Sequence, residues 1–188
     1  MVKHKGDVWD AQGSAIEADV DIKENVICAT VSHRLESMTE MIYTDKTRKA
    51  IKLCYEAHAG QVDKSRLPYV HHPLHLAEQM DDEASTVAAL LHDVVEDTSY
   101  GFDDLERMGF GDEVIAALRL LTHDDSVPYM DYVKAIRTNP IARKVKLADL
   151  AHNSDLSRLD HEPTEKDLER VEKYKKAIDI LIEYEQSI

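Results

Sequence analysis

The stretch Ala84-Ser85-Thr86-Val87-Ala88-Ala89-Leu90-Leu91-His92-Asp93-Val94-Val95-Glu96-Asp97 decides how the rest of the chain is read. Residues 84–91 are apolar and rich in Ala and Leu, so they predict a buried helix. His92 and Asp93 follow at once. Ending a buried helix in His-Asp-x-x-Glu-Asp costs desolvation energy unless something pairs with those charges, and a cation is the simplest partner. If the helix continues, Glu96 falls four residues past His92 and Asp97 four past Asp93, which puts all four polar groups on one edge. A ligand pair beside a carboxylate pair suits metal-assisted hydrolysis, one set holding an ion and the other moving protons.

The chain around this segment has 188 residues, 43% of them hydrophobic and 32% charged. That composition predicts a soluble domain with a proper core, plus an appendage at most. No apolar run approaches a membrane span, and Met1-Val2-Lys3-His4-Lys5-Gly6 lacks the apolar centre of a signal peptide. Cys28 and Cys54 stand far apart and are expected to be reduced thiols, which fits a cytoplasmic protein. The net charge of −14 argues against nucleic acid as a partner. It also means that a phosphorylated small molecule must be drawn in by a local cation or by local Lys and Arg. Basic residues gather at Arg143-Lys144-Val145-Lys146, and Lys64 and Arg66 precede His72.

Only 6 Gly and 5 Pro favour helices joined by short turns. Apolar residues recur at helical spacing from about Met41 to Ala59, with Gly60 as a stop. A loop follows over 63–72, and Pro73 opens the next helix. Further helices are expected at 73–80, 83–95, 103–108, 111–122, 128–138, 140–156 and 164–185. Residues 1–38 read differently: 19–22 alternate and 26–31 are β-prone, so a short hairpin or irregular arm of unknown role is expected before a domain spanning 39–188. The last helix carries the stripe Leu168, Val171, Ile178, Leu181 and Ile182. Its own domain is the expected packing partner, with a homodimer as the alternative.

Candidate ligands come from three separated segments. His72 ends a loop before a helix, His92 and Asp93 end the buried helix, and Asp149 sits in Val145-Lys146-Leu147-Ala148-Asp149-Leu150. Two imidazoles and two carboxylates suit a borderline divalent ion and leave positions for water. Spacing alone does not choose among His58, His71, His72 and His75.

These residues together resemble the His…His-Asp…Asp signature of HD-domain phosphohydrolases, and most closely the alarmone-hydrolase domain of RelA/SpoT homologues, including small single-domain hydrolases. The resemblance runs over Lys64-Ser65, Pro68-Tyr69 with His72-Pro73, Ala89 to Thr98, Asp103-Asp104-Leu105, Leu120-Leu121-Thr122, and Val145 to Asp149 with His152-Asn153. It covers about residues 43–160. It implies an all-α HD-domain bundle in which His72, His92, Asp93 and Asp149 hold a Mn²⁺-type ion. It implies hydrolysis of the 3′-pyrophosphate of (p)ppGpp, a small-molecule nucleotide, to pyrophosphate and GDP or GTP. On the same footing, Glu96 and Asp97 handle protons, Lys64 contacts substrate and Asn153 contacts the ribose.

Two departures fall on substrate contacts. The family loop commonly reads Arg-Lys-Ser-Gly, and here it is Asp63-Lys64-Ser65-Arg66. After Asn153 the family has Met-Arg-Thr, and here Ser154-Asp155-Leu156 follows. Two arginines are thus replaced by carboxylates, with Arg66 and Arg158 as candidate stand-ins. The metal set is untouched, so phosphohydrolysis is better supported than the identity of the base. The alternatives are another nucleotide or phosphorylated metabolite as substrate, or a non-catalytic nucleotide-binding module. No synthetase domain is expected in the remaining length.

Overall fold

The Thr44 hydroxyl accepts from the Thr47 N–H at 3.2 Å, and the Thr47 hydroxyl accepts from the Thr44 N–H at 2.6 Å. This reciprocal cap starts helix α1 (Asp45–Ala57). The computed structural model describes residues 41–185 and, ahead of them, two short strands, β1 (Val8–Trp9) and β2 (Ala15–Ile16). The chain divides into two compact units, Met1–Met38 and Thr39–Ile188. In the first, β1 and β2 pair antiparallel, Val8 opposite Ile16 and Trp9 opposite Ala15. The extended segments expected at 19–22 and 26–31, and Cys28, lie outside the described residues.

The second unit is helical among its described residues. After α1 come α2 (His71–Ala77), α3 (Glu83–Leu91), α4 (Val94–Asp97), α5 (Phe102–Arg107) and α6 (Asp112–Leu121). Then follow α7 (Tyr129–Ile136), α8 (Pro140–Ser154), a 3₁₀ turn (Leu156–Arg158) and α9 (Glu165–Glu185). Helix α3 is the centre, with α1, α2, α6 and α8 packed around it and α9 laid along α8 and α7. Asp82 starts α3 by accepting from the Ser85 N–H at 2.8 Å. Every residue from Ser85 to His92 is then buried, as an apolar sequence on all sides of a helix requires. Val87, Leu90 and Leu91 are fully inside, each burial contributing about 1.5–3 kcal/mol.

The helix expected over 83–95 is broken. It ends at Leu91, His92 and Asp93 form a turn, and α4 begins at Val94. In an unbroken helix the Ala89 carbonyl would take the N–H of residue 93. Here the His92 Nδ1–H donates to that carbonyl at 2.8 Å, so the side chain takes the acceptor that would carry the helix forward. The four polar groups therefore do not share one helix edge. They flank a bend. Helix α2 also begins two residues before Pro73, which lies in its first turn, where a missing N–H breaks no bond.

Asn139 caps α8 by accepting from Ala142 N–H at 3.0 Å, with Pro140 at the first position. Of the α9 stripe, Val171 and Leu181 are buried and Ile178 is half-buried, while Leu168 and Ile182 stay exposed. Cys54 is a free, buried thiol that burial pushes up to about 12. No described helix is long and apolar enough to cross a membrane.

Candidate active site

The bend after α3, the start of α2 and the middle of α8 converge. His72 Nε2 lies 3.2 Å from Asp149 Oδ1 and 3.8 Å from Asp93 Oδ2, and His92 Nε2 lies 2.8 Å from Asp93 Oδ2. Ligand atoms of His72, His92 and Asp149 all lie within 4.8 Å of one another, with all three residues buried. Because His92 gives its Nδ1–H to Ala89, its Nε2 is the ring atom turned inward, where a cation can displace its proton. That nitrogen is buried and has no aligned hydrogen-bond partner despite the nearby carboxylate. Two imidazole nitrogens and two carboxylates pointed at one volume, one nitrogen left without a proton partner, fit a divalent cation.

The surroundings hold the two carboxylates in charged form. Asp149 Oδ2 accepts from Lys146 Nζ at 2.9 Å and its Oδ1 accepts from Asn153 Nδ2 at 2.5 Å. Burial works against the Asp149 carboxylate, but the Lys146 ammonium outweighs it and the carboxyl is held far below its usual range. Burial likewise opposes charge on His92 and Asp93. Their mutual contact outweighs it, raising the imidazole to about 9 and lowering the carboxyl. The Tyr69 hydroxyl donates to Asp93 Oδ2 and is raised by burial and by that carboxylate.

A cleft of about 300 Å³ opens beside this cluster, with His72, Tyr69 and Asn153 in its wall. Loop residues Val62, Asp63, Lys64 and Ser65 form one side, Asp155, Arg158 and Leu159 another, and Arg170 and Tyr174 of α9 a third. Asp63 organises the loop: its Oδ1 accepts from the Ser65 and Leu67 N–H groups at 2.9 and 3.0 Å. Its Oδ2 is 3.5 Å from Arg158 Nη2, and the Ser65 hydroxyl donates to the Arg158 carbonyl at 2.7 Å. Asp155 caps the 3₁₀ turn through Ser157 N–H at 2.9 Å.

The structure thus brings His72, His92, Asp93 and Asp149 together, and sets Lys64, Asn153 and Arg158 around the adjoining cleft. Glu96 and Asp97 sit exposed on α4. Glu96 Oε2 accepts from the His123 N–H at 3.0 Å, and Asp97 is raised by burial and by the charges of Asp93 and Glu96. Arg66 is not part of the cleft wall. It takes a left-handed backbone (φ 61) and its side chain is exposed. Of the basic run before Asp149, only Lys146 reaches the cluster. Lys144 pairs with Asp81 and Asp82, and Arg143 is buried with Nη1 donating to the Arg137 carbonyl at 2.7 Å. His58 is buried but donates to Gln61 Oε1 at 2.7 Å, and His71 and His75 are exposed.

Three contributors were not singled out from the sequence. His152 meets His72, and Arg170 and Tyr174 enter the cleft from the last helix. Adjacency of His152 to Asn153 in the motif was the available signal for the first. For the other two, the signal was only their four-residue spacing on a helix.

A family profile described as "HD domain" matches residues 50–177. The GTP pyrophosphokinase of Streptomyces coelicolor is 39% identical over 118 residues, covering 56% of this chain and 14% of that protein. The chain therefore spans about one seventh of the length of such long relatives. The Xenopus tropicalis guanosine-3′,5′-bis(diphosphate) 3′-pyrophosphohydrolase MESH1 is 35% identical over 124 residues, covering 58% of this chain and 69% of that protein. A solved structure of a metazoan SpoT orthologue, described as hydrolysing ppGpp, superposes with a TM-score of 0.60 at 27% identity, over 76% of this chain and 86% of that one. With the profile spanning two thirds of its residues and the His, His-Asp and Asp segments folded to one point, the chain belongs to the HD-domain family.

Proposed function

We propose that this chain is a Mn²⁺-dependent phosphohydrolase that removes the 3′-pyrophosphate of (p)ppGpp-type alarmones, releasing pyrophosphate and GDP or GTP in the cytoplasm. The observation that carries this reading is the junction of two features. Buried His72, His92 and Asp149, with half-buried Asp93 beside both imidazoles, border a cleft whose rim bears Lys64, Arg158 and Arg170. An anionic substrate entering a protein of net charge −14 needs such a local concentration of cations. The MESH1 relatives and the solved SpoT orthologue support the choice of substrate.

In this reading His72, His92, Asp93 and Asp149 hold the ion, which when bound offsets phosphate charge and makes a water more acidic. Asp97, assisted by Glu96, accepts a proton as the water oxygen bonds to the phosphorus attached to the ribose 3′ oxygen. The P–O3′ bond breaks and the 3′ oxygen takes up the proton that Asp97 accepted from the water. Hydrogen-bonded to His123, Glu96 is held facing α6's exit rather than swinging free. Asn153 gives its amide N–H to Asp149 and keeps its carbonyl oxygen as an acceptor for a ribose hydroxyl. Lys64 and Arg158 take phosphate charge. Asn153 thereby serves both the ligand set and the substrate.

A second reading, the same chemistry on another nucleotide, is favoured by one observation. The position where the resembling family commonly carries an arginine is Asp63, a carboxylate engaged with its own loop and with Arg158. Incubating the protein and Mn²⁺ with ppGpp, pppGpp, adenosine alarmones and ordinary nucleotides separates the two. Pyrophosphate release from ppGpp that disappears in Asp149→Ala is the expected result. Turnover confined to another phosphate ester shifts the reading to the second, and ligand binding without any turnover refutes both.

A further inference from the structure

Asp167 is a buried carboxylate, 6% exposed, outside the metal-ligand cluster. Its two oxygens are divided. Oδ2 accepts from the Thr164 N–H at 3.1 Å and the Thr164 hydroxyl at 2.6 Å, while the Asp167 N–H returns to the Thr164 hydroxyl at 3.3 Å. That box starts α9 and needs one oxygen and no charge. Oδ1 takes no part in the cap. It accepts from Arg170 Nη1 at 2.7 Å and lies 3.8 Å from Lys64 Nζ.

Lys64 and Arg170 come from different parts of the chain, the 61–70 loop and the second turn of α9, and both line the cleft. The Arg170 side chain is 21% exposed and so is held. The Lys64 side chain is 63% exposed and keeps its freedom to turn toward a ligand. Two cations share one carboxylate, so the trio retains a net positive charge at the cleft. A long cationic side chain that must be ordered when an anion binds weakens that binding, and ordering it beforehand moves the cost into folding.

We propose that Asp167 is a positioning residue. It fixes Arg170, and steers Lys64, at the wall of the cleft so that both are in place for the phosphate groups of a phosphorylated substrate. Asp167 does not itself touch the substrate. The proposal rests on the phosphohydrolase reading for its consequence in turnover, but the holding of an anion-binding cation can be measured without it.

Asp167→Asn keeps an oxygen for Thr164 and removes the charge that orients the two cations. With the manganese-loaded protein, the expected result is a KM for ppGpp raised about tenfold with kcat within about twofold, since a charge-assisted contact to the cation is lost but no reacting group is moved. In an Arg170→Met background the same change should add less than about twofold, because the directly bonded cation is gone and Lys64, 3.8 Å away and exposed, is only weakly steered. Inorganic pyrophosphate affinity, read by calorimetry on the same four proteins, should follow the same non-additive pattern. If ppGpp is not turned over yet pyrophosphate binding shows that pattern, the alarmone reading fails and the positioning role stands. If D167N leaves both KM and pyrophosphate affinity unchanged, or weakens them equally with and without Arg170, the proposal is overturned. Should D167N fail to fold, Asp167→Glu carries the test. It preserves the capping box while displacing the oxygen by one methylene, and an unchanged KM there overturns the proposal too.

Discussion

His72 and His152 meet through their Nδ1 atoms, 2.7 Å apart, with ring planes within 7° of each other. Burial and the neighbouring Arg158 and His72 lower His152 to about 4, so near neutral pH it is uncharged, and one of the two Nδ1 atoms donates to the other. With the proton on His72 Nδ1, that bond leaves the His72 Nε2 available to a cation, just as the Ala89 carbonyl does for His92. Both imidazoles of the cluster are therefore aimed by a partner outside it.

Replacing His152 with Phe removes that partner and keeps a ring. Manganese affinity, measured by competition with a chelating dye, is expected to fall about 10–100-fold, the usual cost of losing an outer partner of a ligating histidine. His152 is only half-buried, so the melting temperature should move little. Unchanged affinity would show that His72 is oriented by packing alone.

The proton-handling role proposed for Asp97 has a pH signature. Burial, Asp93 and Glu96 all raise its carboxyl above the ordinary 3.8, so it stays protonated to a higher pH than a free aspartate. A base is active only when deprotonated. The acid limb of kcat/KM should therefore lie above 3.8 and activity should be lost as pH falls through it. Asp97→Asn should lower the rate by about 10²–10⁴-fold and abolish that limb in whatever rate is left. A variant that keeps the limb assigns it to another group.

Stability should also be lost as pH falls, but at lower pH, through two helix-starting carboxylates. At Asp82, burial is outweighed by hydrogen bonds from Ser85 and by the Lys144 ammonium. At Asp167, hydrogen bonds from Thr164 and then Arg170 act directly. Both carboxyls are held below 3.8. A group depressed on folding contributes stability that is complete above its unfolded value and fades as pH falls through its folded one. Urea midpoints should thus be flat near neutrality with respect to these groups and drop below about pH 4. Asp82→Asn should flatten that acid drop in proportion to its share.

The convergence of His72, His92, Asp93 and Asp149 was legible because chemistry and pattern coincided: a His-Asp step closing an apolar octet needs a partner whatever the fold. Choosing His72 over its neighbours needed burial. His72 shares the inward face of α2 with Leu76, four residues on, whereas His71 and His75 point outward. The break at His92 was not legible, because a helix pattern cannot say that an imidazole will take the Ala89 carbonyl. Nor were Arg170 and Tyr174. Their place in the cleft depends on how α9 lies along α8, a contact between segments distant in sequence. The stand-in arginines divided in the same way: Arg158 is brought to the cleft by a turn that Asp155 caps, and Arg66 is carried away by its own backbone.

That backbone has a measurable cost. At φ 61 the Arg66 Cβ crowds the following carbonyl, costing about 1–2 kcal/mol relative to a residue without one. Glycine would remove that strain but enlarge the unfolded ensemble, at about 0.4–1 kcal/mol. The strain outweighs the gain in unfolded freedom, so Arg66→Gly should raise stability by roughly 0.5 kcal/mol in urea denaturation. Since the side chain is exposed and absent from the cleft wall, KM for ppGpp should stay within about twofold, as for a surface change that touches no bound group. A KM that rises several-fold while stability improves would mean that the guanidinium swings in over the substrate, filling the position that Asp63 leaves without an arginine.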